Sequence, residues 1–470
     1  MKILANILFL FLTTPTFSFV DPDSIGSLQI EYESAYSDMD FEQKFTTGDI
    51  FLSPETVQNI LTDYKDQLDK DFEIKKYFAD SVKFWFYIYT QFTSDFVVIH
   101  DKSNLSLIYN ILDYRDFKND KINRWTLYHL RNRLVSGYTF KLKKTLLRMS
   151  KKSPGKYNSE EKILYDKIKA QNPSISKGRK RRSKYLTFLA NNIRTQTGQR
   201  NLIRDGVLRA APYLNHLTNM AKNFKIPPQL LAIPFLESSF NPRAASKVGA
   251  SGIWQIMPYI AKKFFPKPFG EGRYQQDYRN NIVVASVGAF HLLRENKQIL
   301  KHWDLAIPAY NSGTKHIQLA QKKFGKKKAN SLEFILKNYK HPHIGFASKN
   351  FYSEFTALAY VLSYRDIIYP GLKKFLTQSN SEYFIYLSKC KQKLKPKDYE
   401  IRDGDHKIDF FELNRGIHFK RDKNLGKGSI LITQKKLSAK SFYQIKAKTY
   451  RRKLPIKWKT LVKNQSCSTK

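Results

Sequence analysis

Glu237 stands out by its surroundings. It ends the apolar run Ala232–Leu236 and is followed by Ser238, Ser239 and Phe240, after which Asn241-Pro242 must turn the chain. Pro227 and Pro228 suit a helix start, and Leu230, Ile233 and Glu237 then fall at i, i+3 and i+7 on one helical face. A carboxyl held among apolar groups resists ionisation, so its pKa rises toward the pH at which it can donate a proton. That is the behaviour of a general acid. Pro234, inside the same stretch, removes a backbone donor and should loosen the helix, which a purely structural helix avoids. Taken alone, a glutamate near a helix end is more often a solvated charge.

Other residues downstream are suited to work beside such an acid. Gly249 and Gly252, three apart, permit close backbone approach, and Gln255 adds a planar amide that both donates and accepts. Met257 suits either a core gap or a ligand contact. Tyr310 and Asn311 precede Gly313, which is available as a helix cap with positive φ.

In order along the chain, these motifs resemble the catalytic core of the family 1 lytic transglycosylases, and within them most closely the membrane-bound D type. Glu-Ser-x-Phe is Glu237-Ser238-Ser239-Phe240, the glycine loop is Gly249–Pro258 (GASGIWQIMP), and Ala-Tyr-Asn-x-Gly is Ala309–Gly313. Upstream, Arg194–Arg200 (RTQTGQR) and Tyr213-Leu214 resemble the stretch that precedes the core in the D type. The resemblance implies a lysozyme-like helical core acting on peptidoglycan, with Glu237 as acid and then base. It also implies that Ser246, Gln255, Met257, Tyr310 and Asn311 hold the sugar and stabilise charge near Glu237. Two positions depart from the family. Ala347–Tyr352 (ASKNFY) stands where Glu-Thr-Arg-x-Tyr-Val is common, and Asp277–Asn280 carries Asn where an acid is frequent.

The elements that must position these residues are mostly helical. The fold expected is mostly α: a signal peptide at 1–18, a helical accessory region over 19–190, the catalytic core over 191–370, and a small basic α+β or irregular region over 371–470. Ile282, Ser286, Ala289 and Leu293 share one face of a core helix, and Phe351–Tyr364 reads as another. The aromatic stripe Phe84, Trp85, Tyr87, Ile88, Tyr89 and Phe92 is read as a buried helix face rather than a sugar platform. Asn158–Lys184, polar and strongly charged, is expected to be a mobile connection. Phe410–Thr433 resembles the later half of a LysM glycan-binding module, and a basic tail docking on anionic cell wall suits the same composition.

Charge and compartment narrow the partners. Over 470 residues, 82 lysines and arginines against 40 acids give a formal charge of +42, which attracts polyanions. Nucleic acid, acidic membrane and peptidoglycan all qualify. The basic runs at Lys177–Lys184 and Lys326–Lys328 carry no aromatic interleaving of a recognisable nucleic-acid module. Met1-Lys2, the apolar Ile3–Leu12 and the small residues Thr16 and Ser18 read as an export signal cleaved after Ser18, too short to span a bilayer. No membrane span is expected in the mature chain, and a periplasmic location is favoured. Cys390 and Cys467 allow one bridge at most. There is no HExxH pair, phosphate loop or nucleotide fingerprint, so neither cofactor nor metal is expected. The sequence leaves oligomeric state open. The rival readings are a muramidase, which needs a second carboxylate such as Glu271, Asp277 or Glu354, and a non-catalytic wall-binding protein.

Overall fold

A computed structural model describes residues 52–115, 123–265, 277–340, 346–372, 382–395, 401–403, 406–408, 410–416, 424–446 and 461–463. The signal peptide, Glu271 and Cys467 lie outside the described residues. These residues divide into two compact units. One holds the described residues up to Tyr64 together with Ile74–Leu202, and the other holds Lys65–Glu73 and the described residues from Ile203 onward.

The N-terminal unit contains α1 (Pro54–Leu61), α2 (Ala79–Thr90), β1 (Phe96–Asp101), β2 (Ile108–Asp113), α3 (Arg124–Lys151), α4 (Ser159–Gln171), α5 (Arg179–Ala190) and β3 (Ile193–Thr197). The six residues of the α2 aromatic stripe are all buried, as a core face requires. The helical expectation is supplemented by a three-stranded antiparallel sheet of order β2-β1-β3. Its central strand, FVVIHD, is buried throughout. The RTQTGQR stretch supplies most of β3, with Val97 opposite Thr197 and His100 opposite Arg194.

Asn158–Lys184 is folded, which corrects the expectation of a mobile connection. Asn158 and Glu161 form a reciprocal capping box that starts α4. Tyr165, Ile168, Ile175, Leu186 and Leu189 join Leu142, Leu146 and Met149 of α3 in one apolar cluster. The side chain of Glu161 is fully buried and paired with Arg148 at 2.6 Å and Lys152 at 3.3 Å. The basic run of α5 lies mainly on its outer face, with Arg182 turned inward.

The second unit is built from α6 (Arg200–Asn223), whose first turn contains the boundary, then α7 (Ile233–Ser238), α8 (Pro258–Phe264), α9 (Ile282–Leu300), α10 (Trp303–Ser312), α11 (Thr314–Phe324), α12 (Leu332–Asn338), α13 (Phe346–Ser363) and α14 (Arg365–Ile368). The anticipated face of α9 is buried at Ile282, Ser286, Ala289 and Leu293, and the helix runs one further turn and more. α9 packs against α8, α10 and α11, while α13 packs against α7 and α10. Toward the C-terminus, β4 (Phe384–Ser388), β5 (Gln392–Lys393), β6 (Ile401–Asp403), β7 (His406–Ile408), α15 (Phe410–Leu413), β8 (Asn424–Leu425), β9 (Ile430–Thr433) and β10 (Phe442–Gln444) make a small α+β region. Its main sheet has the order β10-β4-β9. Asn414, buried, bridges Phe410 and Ile432, donating from Nδ2 to both carbonyls and accepting the Ile432 amide at 2.8 Å. Cys390 is disulfide-bonded.

Candidate active site

The element carrying Glu237 is short and sharply bounded. Pro228–Ala232 forms a 3₁₀ turn and α7 begins at Ile233, so Pro234 sits in the first helical turn, where a missing N–H costs nothing. The loosening expected at Pro234 is this change from 3₁₀ to α geometry. α7 stops one residue after the glutamate: Ser239 and Phe240 both have positive φ, at 50° and 57°. Such angles are costly for residues with a side chain and persist only where surroundings enforce them. The Ser239 carbonyl accepts from Arg209 at 2.6 Å, and the Phe240 amide donates to the Pro234 carbonyl at 3.0 Å.

Ser238 ties this strained corner to the glycine loop. Its hydroxyl donates to the carbonyls of Pro234 (3.1 Å) and Ile253 (3.0 Å) and accepts from the Asn241 amide. The loop itself is held by Gly252, with φ of 76°: a Cβ there would stand 1.8 Å from the Arg279 carbonyl oxygen. Ser246 closes one turn, its hydroxyl accepting the Ala250 amide at 2.9 Å. Gln255, also at positive φ, donates from its amide nitrogen to the carbonyls of Gly252 (2.9 Å) and Ala244 (3.2 Å), so it braces the loop. Met257 is half-buried where the loop enters α8.

Trp254 joins the loop to the core. It is fully buried, donates to the Ser286 hydroxyl at 2.9 Å, and meets Phe290 edge-on. Its carbonyl accepts the Tyr310 hydroxyl at 2.7 Å. Glu237 and Tyr310 are close enough for the glutamate's charge to add to burial in raising the tyrosine pKa well above its usual value. Asn311 is exposed next to them, and its Oδ1 lies 3.5 Å from the Ser348 hydroxyl. Ser348 thus retains a hydroxyl where the family has threonine, while Phe351, in the family's tyrosine position, is buried.

Burial alone pushes the Glu237 pKa from 4.5 to about 8. The residue keeps some contact with solvent although its carboxyl is densely surrounded. At neutral pH the carboxyl therefore carries its proton, as a general acid must. The sign follows directly: the acid form is lost as pH rises through about 8, so a reaction that needs it declines above that value. A pH series of initial rates should show an alkaline limb near 8. A rate that falls off above pH 5 would mean that Glu237 is ionised and not the acid.

Arg279 was not singled out from sequence as part of the site, and Asp277 was named only as a candidate second carboxylate. Arg279, buried, forms a two-pronged ion pair with Asp277, with Nη2 to Oδ2 at 2.7 Å, and donates from Nη1 to the carbonyls of Gly249 (2.6 Å) and Ile256 (3.3 Å). Asp277, a candidate second carboxylate for hydrolysis, is thus engaged in holding the loop. Asn280, where an acid is frequent, still accepts the Ser251 hydroxyl at 2.7 Å.

A mostly helical core thus holds a desolvated carboxyl beside a glycine loop and a tyrosine. Residues 216–332 match the family profile of the transglycosylase SLT domain. The similarity to the D type is direct. The chain is 29% identical over 161 residues to membrane-bound lytic murein transglycosylase D of Escherichia coli (strain K12), covering 34% of this chain and 32% of that protein. A protein from Alteromonas sp. (strain M-1) named for tributyltin chloride resistance is 33% identical over 132 residues, 27% of this chain and 60% of its own length. The chain thus spans about a third of the E. coli relative.

Proposed function

We propose that the protein is a peptidoglycan lytic transglycosylase cleaving the β-1,4 bond between N-acetylmuramic acid and N-acetylglucosamine. The observation that carries this reading is the neutral, desolvated Glu237 at the end of α7, next to Tyr310 and the glycine loop. Glu237 gives its proton to the glycosidic oxygen as the C1–O4 bond breaks. The resulting carboxylate then takes the proton of the muramyl 6-hydroxyl as O6 bonds to C1, leaving a 1,6-anhydro end and a re-protonated Glu237. Atoms and protons balance without water. One residue acts as acid and then base, so the second carboxylate of ordinary glycosidases is not needed.

In this reading Tyr310 and Asn311 face the sugar next to Glu237, Met257 lines the cleft, and Ser246 and Gln255 shape the loop that the glycan meets. Met1–Ser18 serves as an export signal, and the mature chain works outside the cytoplasm, where the Cys390 disulfide can persist. Among the described residues no helix is long and apolar enough to cross a membrane. Digestion of purified sacculi in ¹⁸O-water tests the chemistry. Released muropeptides should contain no ¹⁸O, whereas label at the new ends means hydrolysis.

The charge supports the same substrate. Peptide stems carry free carboxylates, and the chain carries +42. Retention on sacculi should weaken steeply as salt rises from 50 to 500 mM, a range over which the screening length falls from more than about 10 Å toward about 4 Å. Equal binding at both ends of a salt series in a pull-down would remove electrostatics from the account.

A further inference from the structure

The C-terminal α+β region is bound to the segment that carries the glycine loop. Asn281 is fully buried, and its two side-chain atoms do different work. Oδ1 accepts the Val284 amide at 3.0 Å and caps α9, while Nδ2 donates to the carbonyls of Leu413 (2.9 Å), the last residue of α15, and Arg415 (3.2 Å), just beyond it. From the other side, Gly416 at φ of 75° approaches so closely that a Cβ would lie 2.0 Å from the Asp277 carbonyl oxygen. The turn 413–416 therefore grips residues 277–281 by two carbonyl contacts and one backbone contact.

Residues 277–281 in turn hold the loop. Arg279, fixed by Asp277, binds the Gly249 and Ile256 carbonyls, Asn280 binds Ser251, and only glycine fits at 252 because a Cβ there would lie 1.8 Å from the Arg279 carbonyl oxygen. The loop carries Trp254, whose carbonyl takes the Tyr310 hydroxyl. A second anchorage lies on α6. Tyr383 donates from its backbone to His216 Nδ1 at 3.1 Å and from its hydroxyl to the Pro212 carbonyl at 3.0 Å, and its ring stacks on Tyr213. The side chains that make this contact are buried, and an exposed Arg243–Glu412 pair at 3.5 Å adds little.

We propose that the C-terminal region is an integral clamp of the catalytic site, with Asn281 the positioning residue through which the turn after α15 fixes the glycine loop in its reactive shape. The inference rests on the transglycosylase reading for its kinetic consequence but not for its structural one. The region is then a part of the machinery rather than a separately acting appendage. Any segment that pulls on residues 413–416 would also alter the geometry around Glu237.

The test uses the full mature chain and two variants that attack the contact from opposite sides. Asn281→Asp keeps the acceptor that caps α9 but places an oxygen against the Leu413 and Arg415 carbonyls. Gly416→Ala leaves α9 untouched and adds a Cβ against Asp277. Arg243→Gln, which removes only the exposed pair with Glu412, is the control. Hydrogen exchange read by mass spectrometry on the 249–257 peptide should speed at least tenfold in both variants and stay at the wild-type rate in the control. On sacculi, kcat should fall at least tenfold with KM within a factor of three, because the loop's shape and not the bulk of glycan binding is disturbed. Should Asn281→Asp fail to fold, Gly416→Ala carries the same readings. Wild-type exchange and kcat in a folded variant would overturn the proposal. An inactive wild type would instead sink the transglycosylase reading, and the exchange rates would still decide whether the clamp exists.

Discussion

Glu237→Gln should lower the rate of muropeptide release by about 1,000-fold or more, within the range a positioned general acid supplies. It should also make the protein more stable, by an amount that depends on pH. The folded-state pKa of about 8 lies above the unfolded value of 4.5. Between those values the folded protein holds a proton that the unfolded chain has lost, so stability falls as pH rises through this window and levels off above 8. Each tenfold change in proton affinity is about 1.4 kcal/mol, and partial contact with solvent reduces the full conversion to about 2 kcal/mol at pH 8. Gln is neutral at every pH and escapes this cost. Thermal melts of both proteins at pH 4.5 and pH 8 check it: the variant's advantage should be near zero at the lower pH and clear at the higher. An advantage that is the same at both, or larger at pH 4.5, would contradict a buried neutral carboxyl.

Gly252→Ala should disable the site from a different direction. The position has φ of 76° and meets the Arg279 carbonyl oxygen at 1.8 Å and its carbon at 2.7 Å, both backbone atoms. Neither can move without dislodging the Arg279 bonds to Gly249 and Ile256. A loss of about 3 kcal/mol in stability is expected, together with at least a 100-fold fall in kcat from displaced Trp254 and Tyr310. Gly137, in the middle of α3, is the natural comparison, since a Cβ there meets nothing within 4 Å. Gly137→Ala should stabilise by about 0.5–1 kcal/mol and leave activity unchanged. Denaturant melts and initial rates of the two variants side by side separate the effect of a close approach from the general effect of adding alanine.

Glu237, the glycine loop and the Tyr310 region were legible in the sequence because their chemistry is concentrated in short contiguous motifs. The rest depended on contacts between distant residues. The Arg279 bracket joins positions about thirty residues apart, and the Asn281 contact joins positions more than a hundred and thirty apart, neither of which leaves a local pattern. β3 pairs with β1 across the whole of α3–α5, so a region of helical appearance conceals a sheet. Asn158–Lys184 looked like a linker because the solvated face of α4 and α5 supplies most of its residues. Tyr165, Ile168 and Leu186, which hold it in place, are few, and average composition dilutes them. Gln255 was expected to hold the sugar, and the part its amide nitrogen plays in bracing the loop was not foreseen. That role needs the positive φ of the residue itself, which a sequence of amino-acid types does not display.

The most direct measurement is mass spectrometry of the muropeptides released from purified peptidoglycan by the mature protein, with Glu237→Gln alongside. The account predicts products lighter by one water than the corresponding reducing-end muropeptides, abundant with the wild type and absent with the variant. Products with ordinary reducing ends, or equal release by both proteins, would contradict it.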